Sequence, residues 1–388
     1  KNYNDYMATV TKAGDVTETF SQTITRVFKE KFGYGVMATV AMMARQQLRQ
    51  VYTNVVNIDT AMTELKKVTD ETDAVYSKFL DNAATRAHAL GTTIADVVTA
   101  TADFARLGYS LDEASELADS AAVYKNVGDG ITSISEASES IISTMKAFKV
   151  EAADAMSIVD KFNEVGNSFA ISSQGIGEAL LRSASALATA NNDLDESIAL
   201  VTAANSVVQD PDKVGTALKT VSMYLRAAKS DAEEAGESTD GMANSVSELR
   251  KELLALTNNR LDIQLDANTF KSTYQVMREL SQIWDSLTDL DQAAIIEKIG
   301  GKRNANVVTY MLQNFQTAED ALATAQNSAG SALKENEKYL DSINGKAAQL
   351  AASFERLSTN VLDSDLVKGV LDIVRGFVDA LNWLNDSL

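Results

Sequence analysis

Pro211 is the only proline in 388 residues, and nothing else in this sequence narrows its folding as far. Proline fixes φ and lacks an N–H, so chains built from sheet edges, turns and long loops collect it while helix interiors exclude it. A chain of this length with one proline is expected to be helical nearly throughout, its breaks supplied by 19 glycines. The exception obeys the rule. Asp210-Pro211 reads as an N-cap followed by proline at the first helical position, where a missing donor costs nothing.

The apolar content of 45% is enough to bury a core, which argues against wholesale disorder. Aromatics make up only 6%, and Ala, Val and Leu carry much of the rest. Small side chains suit thin helices lying close together. A formal net charge of -19 argues against a nucleic-acid binder, which gains affinity by neutralising phosphates with Lys and Arg. With no cysteine, disulfides, thiolate metal sites and cysteine nucleophiles are excluded. The best apolar run, Val36 to Ala44, is about half the ~20 residues that cross a bilayer, and it ends at Arg45. The chain starts at Lys1, which reads as a fragment or a processed piece.

Five regions follow from caps and periodicity. Residues 1–35 read as a short helix with its flanks, opened by a capping box at Asp15 and Glu18. Residues 36–91 read as one long helix. Within it Leu48, Val51, Val55, Ile58, Met62 and Leu65 alternate in spacings of three and four, a heptad seam. The seam lapses at Thr69 and Thr72, after which Tyr76, Phe79 and Ala83 keep its register. Such a seam either joins copies of the chain or packs on the chain itself, and the residues leave both open.

From 92 to 230 caps recur every ~20 residues, each followed by about four amphipathic turns. Ser110 with Glu113, Ser133 with Glu136, and Asp193 with Glu196 are capping boxes, and Gly108, Gly128, Gly130 and Gly166 mark expected stops. No named repeat signature is present, so the region is expected to be a compact helical-hairpin array. Residues 231–270 read as an acidic linker and connector, the acidic stretch starting at Lys229. Leu261-Asp262-Ile263-Gln264-Leu265 is the one strand-like run there, expected to be an extended connector. Residues 271–388 return to helix, with Asp289 expected as a cap. An apolar stripe over Leu366, Val367, Val370, Leu371, Val374, Phe377, Val378 and Leu381 is expected to face a partner helix.

No constellation for catalysis, metal or cofactor is legible. His88 is the only histidine, so two-histidine metal motifs cannot form, and no GxSxG elbow exists for a triad. Gly300-Gly301-Lys302-Arg303 lacks the spacer and the Ser or Thr of a phosphate loop; it reads as a helix C-cap with basic residues at the negative end of the dipole. Gly175-Ile176-Gly177 reads as a helix start, and Asp129-Gly130 lacks the carboxylates of a calcium loop.

Several strings resemble, in the same order, the core region of phage tail tape measure proteins. They include Thr101-Ala102-Asp103-Phe104-Ala105-Arg106-Leu107-Gly108-Tyr109-Ser110, Met145-Lys146-Ala147-Phe148, and Asp160-Lys161-Phe162-Asn163-Glu164-Val165-Gly166-Asn167. Ala179 to Leu187, Val214 to Thr220, Gly300 to Arg303 and Asn327 to Ala332 continue the series, so that the resemblance runs from about Val36 to the C-terminus.

The resemblance implies a non-enzymatic structural protein of the virion. It would lie in several copies, three favoured, in the tail tube lumen, setting tail length during assembly in the host cytoplasm and leaving at DNA ejection. Tail tube protein and baseplate or distal tail protein would be its partners, with contact to the host membrane at ejection and no stable nucleic-acid binding. The acidic balance fits, since a lumen filler should not adhere to exiting DNA. The expected fold is all-α: an elongated array of helical hairpins with one long N-terminal helix containing a short coiled-coil seam. A bacterial helical sensor and a membrane-perturbing ejection protein are the competing readings.

Overall fold

Helix follows helix here because most starts carry their own cap. Thr72, Thr93, Ser110, Ser133, Ser172, Asp193 and Asp210 each accept the amide three residues on, satisfying one of the donors that a helix N-terminus leaves without an intrahelical partner. The computed structural model describes residues 53–359. Leu48 and Val51, the box at Asp15 and Glu18, and the stripe from Leu366 to Leu381 lie outside the described residues.

The order begins with α1 (53–68), α2 (Asp73–Leu90), α3 (Ile94–Ala105), α4 (Leu111–Val127) and α5 (Ile134–Phe148). A 3-10 turn, Ala152–Asp154, leads into α6 (Ala155–Ser168), followed by α7 (Ser173–Thr189), α8 (Leu194–Val208) and α9 (Pro211–Leu225). Next come α10 (Lys229–Glu234), α11 (Val246–Leu256), α12 (Thr273–Ile283) and α13 (Asp289–Gly300). The last are α14 (Ala305–Gln313), α15 (Gln316–Gln326), α16 (Ser331–Asp341) and α17 (Ile343–Thr359). All-α is the fold class.

Residues Thr60–Arg356 form one unit, and its helices alternate between layers. α3, α5, α7, α9 and α13 pack in succession to make one layer, and α2, α4, α6 and α8 make the second. The chain then turns back. α14 and α15 lie on α8, α15 also on α6, and α16 on α6 and α4, so the return segment forms a third layer over the second.

Burial follows this plan. Phe104, Tyr124, Ile141, Phe162, Ile176 and Leu218 are fully enclosed, with Tyr124 and Phe162 meeting edge to face at 5.9 Å. Alanines fill the closest approaches, among them Ala114, Ala118, Ala121 and Ala122 on α4. α7 and α9 cross closely, backbone to backbone, where a Cβ on Gly215 would come within 2.5 Å of the Ala179 carbonyl oxygen.

Several expectations are corrected. The long helix expected over 36–91 is interrupted at 69–72. There the Thr69 hydroxyl bonds back to the Leu65 carbonyl, the Tyr76 hydroxyl donates to the Thr69 carbonyl, and Thr72 starts a new helix as its cap. Gly166 is no stop but lies inside α6, against the backbone of Ser173. Thr288, not Asp289, caps α13. Of the three capping boxes only the one at Ser110 closes in both directions; the Glu136 carboxylate turns to Thr132 and Gln174 instead. The stretch from Lys229 to Ser245 is not wholly solvated either, because Ala232 and Met242 are buried against Tyr224.

Other expectations hold. Leu261 to Leu265 is an extended connector with an isolated bridge from Gln264 to Phe270. Gly301, at φ +63°, is the C-cap of α13, with the Lys302 ammonium near Glu297.

Candidate functional site

The motif strings of the sequence take definite places in the fold. Asp103 sits near the end of α3 and pairs with Arg106 at 2.6 Å, and Arg106 also reaches Glu64 on α1 at 3.3 Å. Burial pushes the Asp103 carboxyl above its ordinary range, with Arg106 opposing the shift. Phe104 and Ala105 are buried, Leu107 and Tyr109 half-buried, and Gly108 turns the chain at φ +91° toward the Ser110 cap. The string therefore folds as one corner between two helices. Its aromatic and apolar letters go inward, and its charged letters tie the corner to α1.

The second string lies on α6 and makes contacts across the fold. Asp160, almost fully buried, accepts the amides of Gly330 and Ala332, both at 2.9 Å, across 170 and 172 residues of sequence. The Ser331 hydroxyl donates to Glu164 at 2.5 Å and accepts from the Asn163 side chain at 2.9 Å. Lys161 pairs with Asp195 on α8 at 2.6 Å. These contacts bring the strings Asp160 to Asn167 and Asn327 to Ala332 together. They also supply what α16 lacks, because its N-cap position, Gly330, has no side chain to cap with. A carboxylate from another helix takes that role, favoured by the positive end of the α16 dipole. Phe162 points the other way, into the core with Tyr124, and Gly166 and Asn167 lie in the last turn.

Further ties of this kind hold the return path. Asn192, in the turn before α8, accepts the Tyr274 amide at 2.9 Å in the first turn of α12. Asn126 on α4 donates to the Leu90 carbonyl at the end of α2 and to Asn336 on α16. Glu355 on α17 accepts the Ile94 amide at the start of α3 at 2.6 Å, across 261 residues. Its burial raises that carboxyl's affinity for a proton.

Three more strings meet at a shallow groove of about 350 Å³ between α7, α9 and α14, lined by Arg182, Asp212, Lys213, Thr216 and Arg303. Arg182 clasps Asp212 through two bonds, at 2.5 and 2.9 Å, and Lys213 is paired with Asp210. Within the groove the Arg182–Asp212 pair is closed on itself, and Arg303 is exposed at its edge. His88 is exposed in the last turn of α2. Among the described residues no group of three or more His, Cys, Asp and Glu is placed to hold a metal ion.

The described part of the heptad seam faces inward. Ile58 and Leu65 are fully buried, Met62 nearly so, and Val55 half-buried. Among the described residues no helix is long and apolar enough to cross a membrane.

The pairing of Asp160 with Gly330 could not be read from sequence. Both strings are visible there, but a cap supplied 170 residues away leaves no local pattern. The one available signal was a helix start at Ser331 preceded by glycine where a capping side chain is usual.

No solved structure matches the chain. A family model described as phage-related minor tail protein matches residues 81–301, more than half of the sequence. That span runs from α2 to the C-cap of α13 and takes in both layers and the corner at Gly108. The chain belongs to the phage-related minor tail protein family.

Proposed function

We propose that this chain is part of a tail tape measure protein, a non-enzymatic component that fills the tail tube lumen, sets tail length during assembly and leaves at DNA ejection. The observation that carries the reading is family membership across residues 81–301, the same span that holds most of the ordered strings resembling a tape measure core. Side-chain chemistry fits it. Buried polar groups here fasten one helix to another, and Arg182 and Asp212 in the groove between α7, α9 and α14 are paired with each other. The net charge of -19 fits a lumen through which DNA must pass, because like charges repel.

The fold refines how such a ruler would work. A helix measures distance by its fixed rise of about 1.5 Å per residue, yet residues 60–356 double back on themselves. This region would therefore be a packed terminal part of the ruler, docked to baseplate or distal tail protein, and other extended stretches of the molecule would set the count. Copies, three in the simplest arrangement, would associate within the tube.

The test is made in the phage, by in-frame removal of helical stretches and measurement of tails by electron microscopy. A ruler gives shorter tails, by about 1.5 Å per residue removed wherever the chain is extended. Deletions in the extended stretches that leave tails unchanged, with assembly intact, would overturn the ruler role, whereas deletions within the packed residues 60–356 are expected to leave the length as it is.

A further inference from the structure

We propose that α15–α17, residues 316–359, form a releasable strap that opens from α3, α4, α6 and α8 while the two layers beneath stay folded. The helices differ in how their ends are satisfied. In the array α2–α5 and α7–α9 are each capped by a side chain of their own, while α6, entered from a 3-10 turn, is not. In the strap Ser342 accepts the Gly345 amide at the start of α17, whereas the N-cap positions of α15 and α16, Phe315 and Gly330, provide no such bond. For α16 the missing partner is Asp160 on the layer below. A helix capped from elsewhere loses its cap when it leaves, so docking and helix stability are coupled in α16.

The buried surfaces differ in the same sense. Among the described side chains of the strap, the apolar ones that are fully buried are single methyl groups, from Ala318, Ala321, Ala325, Ala332 and Ala352. The array encloses Phe104, Tyr124, Phe162 and Ile176 between its own helices. Hydrophobic stabilisation scales with apolar area removed from water, so these alanine contacts contribute less than the array's aromatic and branched side chains. Its specific hold is polar: Asp160 on the Gly330 amide, Ser331 between Asn163 and Glu164, Asn336 on Asn126, and Glu355 on the Ile94 amide. Water can replace each of these partners once the strap lifts, which keeps the opening inexpensive. The face uncovered on α6 presents Asp160, Lys161, Asn163 and Glu164, a polar surface that stays soluble when open.

Native-state hydrogen exchange on the whole chain tests this. In the unmodified protein, amides of α15–α17 are expected to exchange at least about tenfold faster than those of α4–α8. Asp160→Asn should speed exchange in α15 and α16 about tenfold further and leave α3–α5 unchanged. The chain has no cysteine, so Asn163→Cys with Ser331→Cys gives a clean disulfide pair. Oxidising it should slow α15–α17 to the rate of α4–α8. Equal exchange in strap and array of the unmodified protein would overturn the proposal. So would an oxidised pair that leaves the strap's faster exchange unchanged, and these two measurements decide the matter even if Asp160→Asn does not fold.

Discussion

Gly215 lies against Ala179 so closely that a Cβ on the glycine would sit 2.5 Å from the alanine's carbonyl oxygen. Backbone, not a flexible side chain, occupies that space, and α7 and α9 would have to separate to admit a methyl group. Gly215→Ala gains about 1 kcal/mol of helix propensity in an open helix, but overpacking of about 1–3 kcal/mol opposes it here. The variant should unfold at lower urea concentration than the parent, and Gly215→Val lower still. A higher midpoint for Gly215→Ala would refute the close crossing.

Phe162 should behave as a core residue in spite of its place in a family string. It is fully enclosed and touches the Tyr124 ring. Phe162→Ala is expected to cost about 3–5 kcal/mol. Tyr124→Phe keeps the ring but removes the 2.9 Å bond to the Ser173 carbonyl, a loss of about 1–2 kcal/mol. Chemical denaturation of both variants measures the ordering.

Ser110 closes the one reciprocal box of the array's corner, accepting from Glu113 while the Glu113 carboxylate accepts from Ser110. Ser110→Ala should cost about 1 kcal/mol. Asn167→Ala, in the exposed last turn of α6, should stay within about 0.5 kcal/mol. A family string thus divides into positions that stability measurements can tell apart.

Acid and alkaline limbs of stability should have different owners. The Arg250 guanidinium holds Asp262 down to about 2, below its ordinary 3.8. A lowered carboxyl contributes stability above its unfolded value, and that contribution is lost as pH falls through about 2. Glu355 has the opposite sign. Burial raises it above 4.5, so its contribution is complete below 4.5 and lost as pH rises through the folded value. Glu355→Gln retains an acceptor for the Ile94 amide and should remove that loss above pH 4.5, whereas Asp262→Asn should flatten the acid limb. Thermal midpoints recorded from pH 2 to 8 would show it. An unchanged profile for Glu355→Gln would refute the assignment.

The helices and most of their caps could be read locally, because a cap is a short-range event: Ser110, Ser133, Asp193 and Asp210 lie three residues from the amides they bind. The break at 69–72 was visible only as a lapse in periodicity, since a Tyr76 hydroxyl folding back on Thr69 has no sequence signature. Gly166 misled for a related reason. Glycine marks both a helix end and a place where another backbone comes near, and here the neighbour is Ser173. The return of α12–α16 over the array was out of reach altogether. It depends on side chains such as Asp160, Asn192 and Glu355, each of which alone reads as an ordinary polar residue.

Because α16 is completed by a carboxylate made long before it, the order of synthesis matters. A ribosome adds roughly 5–20 residues per second, so Asp160 emerges on the order of ten seconds or more ahead of Gly330. During that interval the receiving carboxylate on α6 has no Gly330 amide to accept, so the cap of α16 can close only after both ends of the bond have been made.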